Sequence, residues 1–354
     1  MALSISWQVG HKGVIVLKKA YNVAVVGATG AVGEAMFDIL VERQFPVGET
    51  YALASENSKG NSVLMGNKAL FVHNLAEFDF KKVDIALFSA GNEVSKKYVP
   101  KATKAGCIVI DNTSEFRNDK DVPLVVPEVN PEDVAKYKKR KIIANPNCST
   151  VQMVVALKAI YDAVGIKRIN VVTYQSVSGA GKAGITELAT QSANILNGQL
   201  TNPDIFSRQI AFNLIPAIDV FQENGYTKEE MKMVLETQKI FKDKKIKINP
   251  TAVRVPVFYG HSEAIHFETK NPLSVREAKK LLKKSPGVIV MEKDDEFPTP
   301  VNNAAHHDAV FVGRVRKDIS CDHGLNCWVV ADNVRKGGAL NAVQIAELLV
   351  KDYI

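Results

Sequence analysis

The sequence predicts an α/β protein, with a doubly wound parallel sheet followed by a mixed α+β domain. Three observations carry this. In the first half, short and continuously apolar runs alternate with stretches of helical spacing, the pattern of strands covered by helices on both faces. A glycine-rich turn, GATGAVG at 27–33, falls between the first run and the first helix, where doubly wound sheets cradle phosphates. After Cys148 the pattern changes to longer strands with period-two alternation and to polar helices.

Residues 21–27 (YNVAVVG) read as the first strand and 32–43 as its helix. Strands follow at 51–55 and 83–89, a helix at 96–105, and a strand at 107–111 (CIVID). Residues 151–164 form a long, mostly apolar helix. Beyond it, strands are expected over 168–176 and 253–269, and helices around 228–241 and 274–283. The segment 339–351 carries an apolar stripe at helical spacing, which needs a surface to cover, and the first domain is the expected one. The resulting division is an extension at 1–20, a nucleotide-binding domain at 21–147 completed by a helix at 336–354, and a catalytic domain at 148–335.

Composition narrows the function. The chain has 354 residues, 46% apolar and 23% charged, ordinary for a globular protein of about two domains. Its net charge of +7 is spread along the chain. That suits an anionic small molecule better than a nucleic acid, which needs a concentrated basic patch. No apolar run approaches the ~18 residues of a membrane span. Four cysteines are too few for a disulfide scaffold and fit a reducing cytoplasm. The extension at 1–20 has a short apolar run at 14–17 but no cleavage-type sequence after it and no arginine, so neither a secretory nor an organelle signal is expected.

The glycine turn lets backbone N–H groups approach a pyrophosphate resting on a helix N-terminus. Whether the cofactor carries a 2′-phosphate should be decided after the second strand, where the chain reads Ser55-Glu56-Asn57-Ser58-Lys59-Gly60. Small hydroxyls and Lys59 suit a phosphate, and Glu56 suits a free ribose hydroxyl; the residues leave both open. In NPNCST at 145–150, Pro and Asn before a long helix are start signals. Cys148 therefore sits at or near a helix N-terminus, where the dipole is expected to lower its pKa and local N–H groups can hold an oxyanion. Cys107, inside a strand, reads as structural. The expected partner of Cys148 is His261, at the turn after RVPVFYG (254–260), with Arg254 seven residues before it. Cys321, His323 and Cys327 match no metal-site spacing closely, and no metal is expected.

Four motifs, GATGAVG (27–33), NPNCST (145–150), QSVSGAGKAG (175–184) and ADNVRKGGALNAVQIAE (331–347), occur in order. From about residue 21 onward the chain closely resembles the aspartate-β-semialdehyde dehydrogenases. The resemblance implies a Rossmann-type NADP-binding domain and a catalytic and dimerisation domain, in a homodimer or homotetramer. The implied activity is reversible NADPH-dependent reduction of L-4-aspartyl phosphate to L-aspartate-4-semialdehyde and phosphate, serving lysine, methionine and threonine biosynthesis. By this resemblance Cys148 forms the acyl-thioester, Gln175 positions substrate or catalytic water, and His261 is the acid/base. Arg254 clamps the substrate carboxylate and Glu229 meets its amine, while Arg117, Lys232 and Asn147 hold phosphate. The implied cofactor contacts are Gly27, Thr29, Gly30, Ala31, Val32, Asn57, Ser58, Ser178, Gly179 and Asn333. One departure is Asn57, where many members carry an arginine for the 2′-phosphate; either Lys59 substitutes or selectivity is looser. A related acyl-phosphate reductase, such as one acting on N-acetyl-γ-glutamyl phosphate, is the nearest alternative. A non-catalytic dinucleotide sensor is another, opposed by the intact set of Cys148, Gln175, Arg254 and His261.

Overall fold

The computed structural model describes residues 19–293 and 295–354, so the expected extension lies, but for its last two residues, outside the described residues. The first half builds β1 (Tyr21–Val26), α1 (Ala31–Glu42), β2 (Val47–Ala54), β3 (Ser62–Met65), β4 (Lys68–Asn74), β5 (Ile85–Phe88), α2 (Asn92–Lys104), β6 (Ile108–Asp111) and β7 (Ile142–Ala144). These seven strands form one sheet in the order β3-β4-β2-β1-β5-β6-β7, parallel throughout except for the β3–β4 hairpin. The order reverses at β1, which lies between β2 and β5. The crevice at the carboxyl end of that strand is the ligand position of such sheets.

The glycine turn fills that crevice. Gly27 has φ +87°, and a Cβ there would collide with the Ser89 carbonyl just after β5; one on Gly33 would collide with the Gly27 carbonyl. Gly30 caps α1 with no side chain over the first-turn amides. Those N–H groups are thus left to a phosphate, which is how the turn fits a dinucleotide.

The second half contains α3 (Cys148–Val164), β8 (Ile166–Gln175), α4 (Gly181–Leu196), α5 (Lys228–Ile240), β9 (Lys247–Arg254), β10 (His261–Thr269), α6 (Val275–Lys283), β11 (Val288–Val290), β12 (Val310–Lys317), β13 (Gly324–Ala331) and α7 (Leu340–Asp352). Six strands form a mixed sheet in the order β11-β12-β13-β10-β8-β9. The continuous strand expected over 253–269 is broken. Pro256 gives up an N–H, and Gly260 turns the chain at φ +88°. As a result β9 runs parallel to β8 on one side and β10 antiparallel to it on the other.

Helix α3 is the axle of the molecule. Its apolar residues run all round it, from Val151 to Ile160, and it is buried accordingly. One continuous core joins Val26 and Phe88 of the first sheet through Val154 and Leu157 to Ile265 and Val329 of the second. On the other face of the first sheet, α7 lays Leu340, Val343 and Ala346 against Met36, Phe37 and Leu40 of α1. Among the described residues no helix is long and apolar enough to cross a membrane.

Candidate active site

The residue that begins α3 is Cys148. Asn147 is its N-cap, its side-chain oxygen accepting from the Ser149 and Thr150 amides at 3.0 and 3.3 Å. The cap thus uses two of the orphan donors of the helix start. Gly337 packs so closely behind Cys148 that a Cβ there would lie 2.6 Å from the cysteine's own.

A cleft of about 430 Å³ opens over Cys148, between the two domains. It gathers Val32, Asn147, Cys148, Arg117, Gln175, Ser178, Gly179, Glu229, Lys232, Arg254 and Asn333, which are scattered over three hundred positions of the sequence. Other expected residues lie apart from its lining. Gly27, Thr29, Gly30 and Ala31 form the glycine turn and the start of α1, and Asn57 and Ser58 sit in a short helical turn after β2. His261 does not line the cleft either. It is the first residue of β10, fully buried, behind Gly179, with Nε2 3.5 Å from where a Gly179 Cβ would stand.

Glu229 is the electrostatic centre. Its carboxylate accepts from Asn147 Nδ2 at 2.8 Å, Gln175 Nε2 at 3.2 Å and Lys232 Nζ at 3.0 Å. Burial pushes its pKa up, but Lys232 and these amide donors outweigh burial and bring it down to about 2. Gln175 also donates to Thr173 Oγ1 at 3.2 Å, which commits both its amide hydrogens and leaves its carbonyl oxygen as an acceptor. Arg254 donates from Nη1 to the Ser176 carbonyl at 2.7 Å. Arg117 is paired with Glu236 at 3.0 Å and the Asn112 carbonyl at 2.8 Å.

The Cys148 thiol does not have the low pKa expected at a helix start. Burial and the nearby Glu229 carboxylate push it up to about 12, outweighing Arg254, Arg117 and the Ser149 amide, which pull it down. The helix dipole acts on a group that the cleft has desolvated, and desolvation wins. Burial also drives His261 down, to about 3, with Arg254 adding to the effect. Its ring is therefore neutral. Nδ1 accepts the Ser176 backbone N–H at 3.1 Å, and a backbone amide can only donate, so the single ring proton is assigned to Nε2. That atom has no partner among the described residues.

Sequence reasoning missed Ser176, whose backbone orients both His261 and Arg254. Asn333, expected as a cofactor contact, has an Oδ1 that accepts from Ser176 Oγ, Ser178 Oγ and the Gly260 amide at 3.0–3.1 Å. Sequence reasoning also missed Asp219, which holds Lys232 at 2.9 Å, and Glu236. The i, i+3, i+7 spacing of Glu229, Lys232 and Glu236 on one helix was the available signal. Lys59, one of the two answers offered for the missing arginine, pairs with Glu77 at 3.0 Å and Glu56 at 3.6 Å.

A nucleotide-binding sheet whose crevice faces a cysteine-headed helix, flanked by two arginines and a lysine, defines a dinucleotide-linked oxidoreductase that works through a cysteine. Residues 22–137 match the family model of the semialdehyde dehydrogenase NAD binding domain, and residues 157–336 that of the semialdehyde dehydrogenase dimerisation domain. Similarity to aspartate-semialdehyde dehydrogenase 2 of Vibrio cholerae is 61% identity, covering 95% of this chain and all of that one. The Legionella pneumophila aspartate-semialdehyde dehydrogenase is 58% identical over 96% of this chain and 98% of its own. The Vibrio cholerae enzyme solved in complex with ASA superposes with a TM-score of 0.94, over 95% of this chain and all of that one. A Candida albicans enzyme solved with NADP superposes at 0.73, with 25% identity over 94% of this chain and 98% of that one. The chain belongs to the aspartate-semialdehyde dehydrogenase family.

Proposed function

We propose that this protein catalyses the reversible, NADPH-dependent reductive dephosphorylation of L-4-aspartyl phosphate to L-aspartate-4-semialdehyde. The observation that carries the reading is Cys148 at the head of α3, inside a cleft that also holds Arg254, Glu229 and Lys232. In this reading the substrate carboxylate meets the planar fork of Arg254. Its ammonium meets Glu229, which also removes the nearest negative charge opposing thiol ionisation.

Cys148 Sγ, as thiolate, bonds to the acyl carbon; the carbon–oxygen bond to phosphate breaks, and Arg117 and Lys232 receive the leaving phosphate. Asn147, its side-chain oxygen committed to the cap, offers phosphate a single amide hydrogen. A bound nicotinamide supplies hydride to the thioester carbon. His261, expected as the acid/base, is read here as a donor: from behind Gly179 its neutral ring turns Nε2–H toward the resulting oxyanion. Collapse breaks the carbon–sulfur bond, frees the aldehyde and returns the thiolate. Gln175 holds the substrate through its carbonyl oxygen.

The residues suit a dinucleotide, and NADP is the cofactor we assign. Glu56, the acid that would take a free ribose hydroxyl, is drawn off by Lys59 and Asn74, which leaves Asn57 and Ser58 to the 2′-phosphate. Ser178, Gly179 and Asn333 form the wall toward the nicotinamide. The second copy in a homodimer is assigned to the face around residues 200–221, where Leu200, Phe212, Val220 and Phe221 are exposed.

The test is NADP⁺ reduction with L-aspartate-4-semialdehyde, with and without inorganic phosphate, repeated with NAD⁺. The expected result is phosphate-dependent reduction favouring NADP⁺. Cys148→Ala should lose turnover and still bind NADPH. No reduction with either cofactor, from folded protein that binds NADPH, overturns the assignment.

A further inference from the structure

Helix α5 presents a polar stripe to the junction of the two domains. Glu229, Lys232, Glu236 and Lys239 recur at three- and four-residue intervals, which brings them to one face. The first two belong to the site described above. The last two reach into the segment that follows β6. Lys239 Nζ donates to three backbone carbonyls there, those of Arg117, Asp119 and Val122, at 2.7 to 2.8 Å. Glu236 is 2% exposed. One of its oxygens accepts from Arg117 Nη1 at 3.0 Å, and the other from the Asn147 backbone amide at 2.6 Å.

We propose that Glu236 is a positioning residue that locks the phosphate-binding Arg117 to the turn carrying Cys148. The proposal rests on the reading of Arg117 given under Proposed function. One carboxylate holds, on separate oxygens, a guanidinium from the first domain and the amide that directly precedes the nucleophile. A shift of either is transmitted to the other through a rigid group three atoms wide. Arg117 is buried and its Nε has no partner among the described residues, so among those residues two hydrogen-bond partners hold its guanidinium, Glu236 and the Asn112 carbonyl. Loss of one leaves the guanidinium free to swing about the other. Lys239 anchors the backbone from which Arg117 projects, and Glu236 fixes its tip.

The test is steady-state kinetics in the phosphorylating direction, with phosphate and semialdehyde varied separately. Glu236→Gln keeps size but turns an NH₂ group toward one of two donors, so it releases either Arg117 or Asn147. The expected result is a phosphate KM raised about tenfold or more, the effect of losing one hydrogen bond to a charged group. The KM for semialdehyde should stay within about twofold, because Glu236 itself holds neither Arg254 nor Glu229. Glu236→Asp keeps the charge but spans only one partner, and its phosphate KM should lie between wild type and Glu236→Gln. If Glu236→Gln does not fold, Glu236→Asp decides. A phosphate KM unchanged in a folded variant, or a rise shared equally by both substrates, overturns the proposal. Failure of the underlying reading is distinguishable: wild type itself would then show no phosphate dependence.

Discussion

Gly179→Ala isolates the geometry around Arg254, the proposed substrate clamp. Gly179 does not have the positive φ that excludes other residues, so alanine fits its backbone. The obstacle is what the new methyl meets, namely Arg254 Nη1 at 2.7 Å and His261 Cε1 and Nε2 at 3.4 and 3.5 Å. The guanidinium must retreat by about 0.7 Å or more to reach ordinary van der Waals contact. That retreat is expected to stretch its 2.7 Å hydrogen bond to the Ser176 carbonyl. Losing a hydrogen bond from a charged donor costs about 1.5–3 kcal/mol, or about 10- to 100-fold in kcat/KM. The assay is initial-rate NADP⁺ reduction with semialdehyde varied at saturating phosphate, alongside thermal unfolding. The variant should unfold within a few degrees of wild type, because only a surface of the cleft changes. A folded variant with kcat/KM near the wild-type value would refute the reasoning, since it would mean that neither Arg254 nor His261 needs its present place.

Three further outcomes follow from the site and its supports. His261 is held neutral with its pKa near 3, against an ordinary 6.5, so unfolding takes up a proton between those values. Its contribution to stability is therefore complete above pH 6.5 and falls by about 1.4 kcal/mol per unit as pH drops toward 3. Urea unfolding from pH 7.5 to 4.5 should show a shallower slope in His261→Asn, and equal slopes would count against the buried neutral ring. Because burial and Glu229 raise the Cys148 thiol, alkylation of resting enzyme by iodoacetamide should climb through pH 9 without a plateau, and Glu229→Gln should speed it at fixed pH; a plateau below pH 8 would show a preformed thiolate. Lys336 is 1% exposed and its Nζ is held by Glu128, Asn341 and Gln344 at 2.6 to 2.9 Å. Glu128→Ala strands that charge and should cost about 3–5 kcal/mol, read as a lowered urea midpoint.

Much of the fold is legible because continuous apolar runs and glycine spacing are local signals. The strands missed in the first half are those with weak patterns. β7 has three residues, and β3 and β4 leave Leu64 and Phe71 exposed, so their apolar residues do not sort inward from outward. At the site, residue identity was visible in the motifs and ionisation was not. The N-terminal position of Cys148 could be inferred from Pro146 and Asn147, but its pKa depends on burial and on Glu229, which lies eighty-one residues later. Ser176 acts through its backbone, and no side-chain pattern announces a carbonyl and an amide. Glu236 looks in sequence like one more charge on a polar helix.

The contact between Gly337 and Cys148 also sets an order of events during synthesis. Residues 335–340 follow β13 and are made after every strand of both sheets, yet they form the wall behind the nucleophile. Helix α7 then covers the face of the first sheet on which Val25, Ile85 and Ile110 lie, and Tyr21 Oη donates to the Ile354 carbonyl at 3.0 Å. A nascent chain can thus complete its second sheet while the nucleotide-binding layer is still open on one side and Cys148 has no backing. The backing of Cys148 is therefore completed only when the chain returns to β1, the first strand of its described structure.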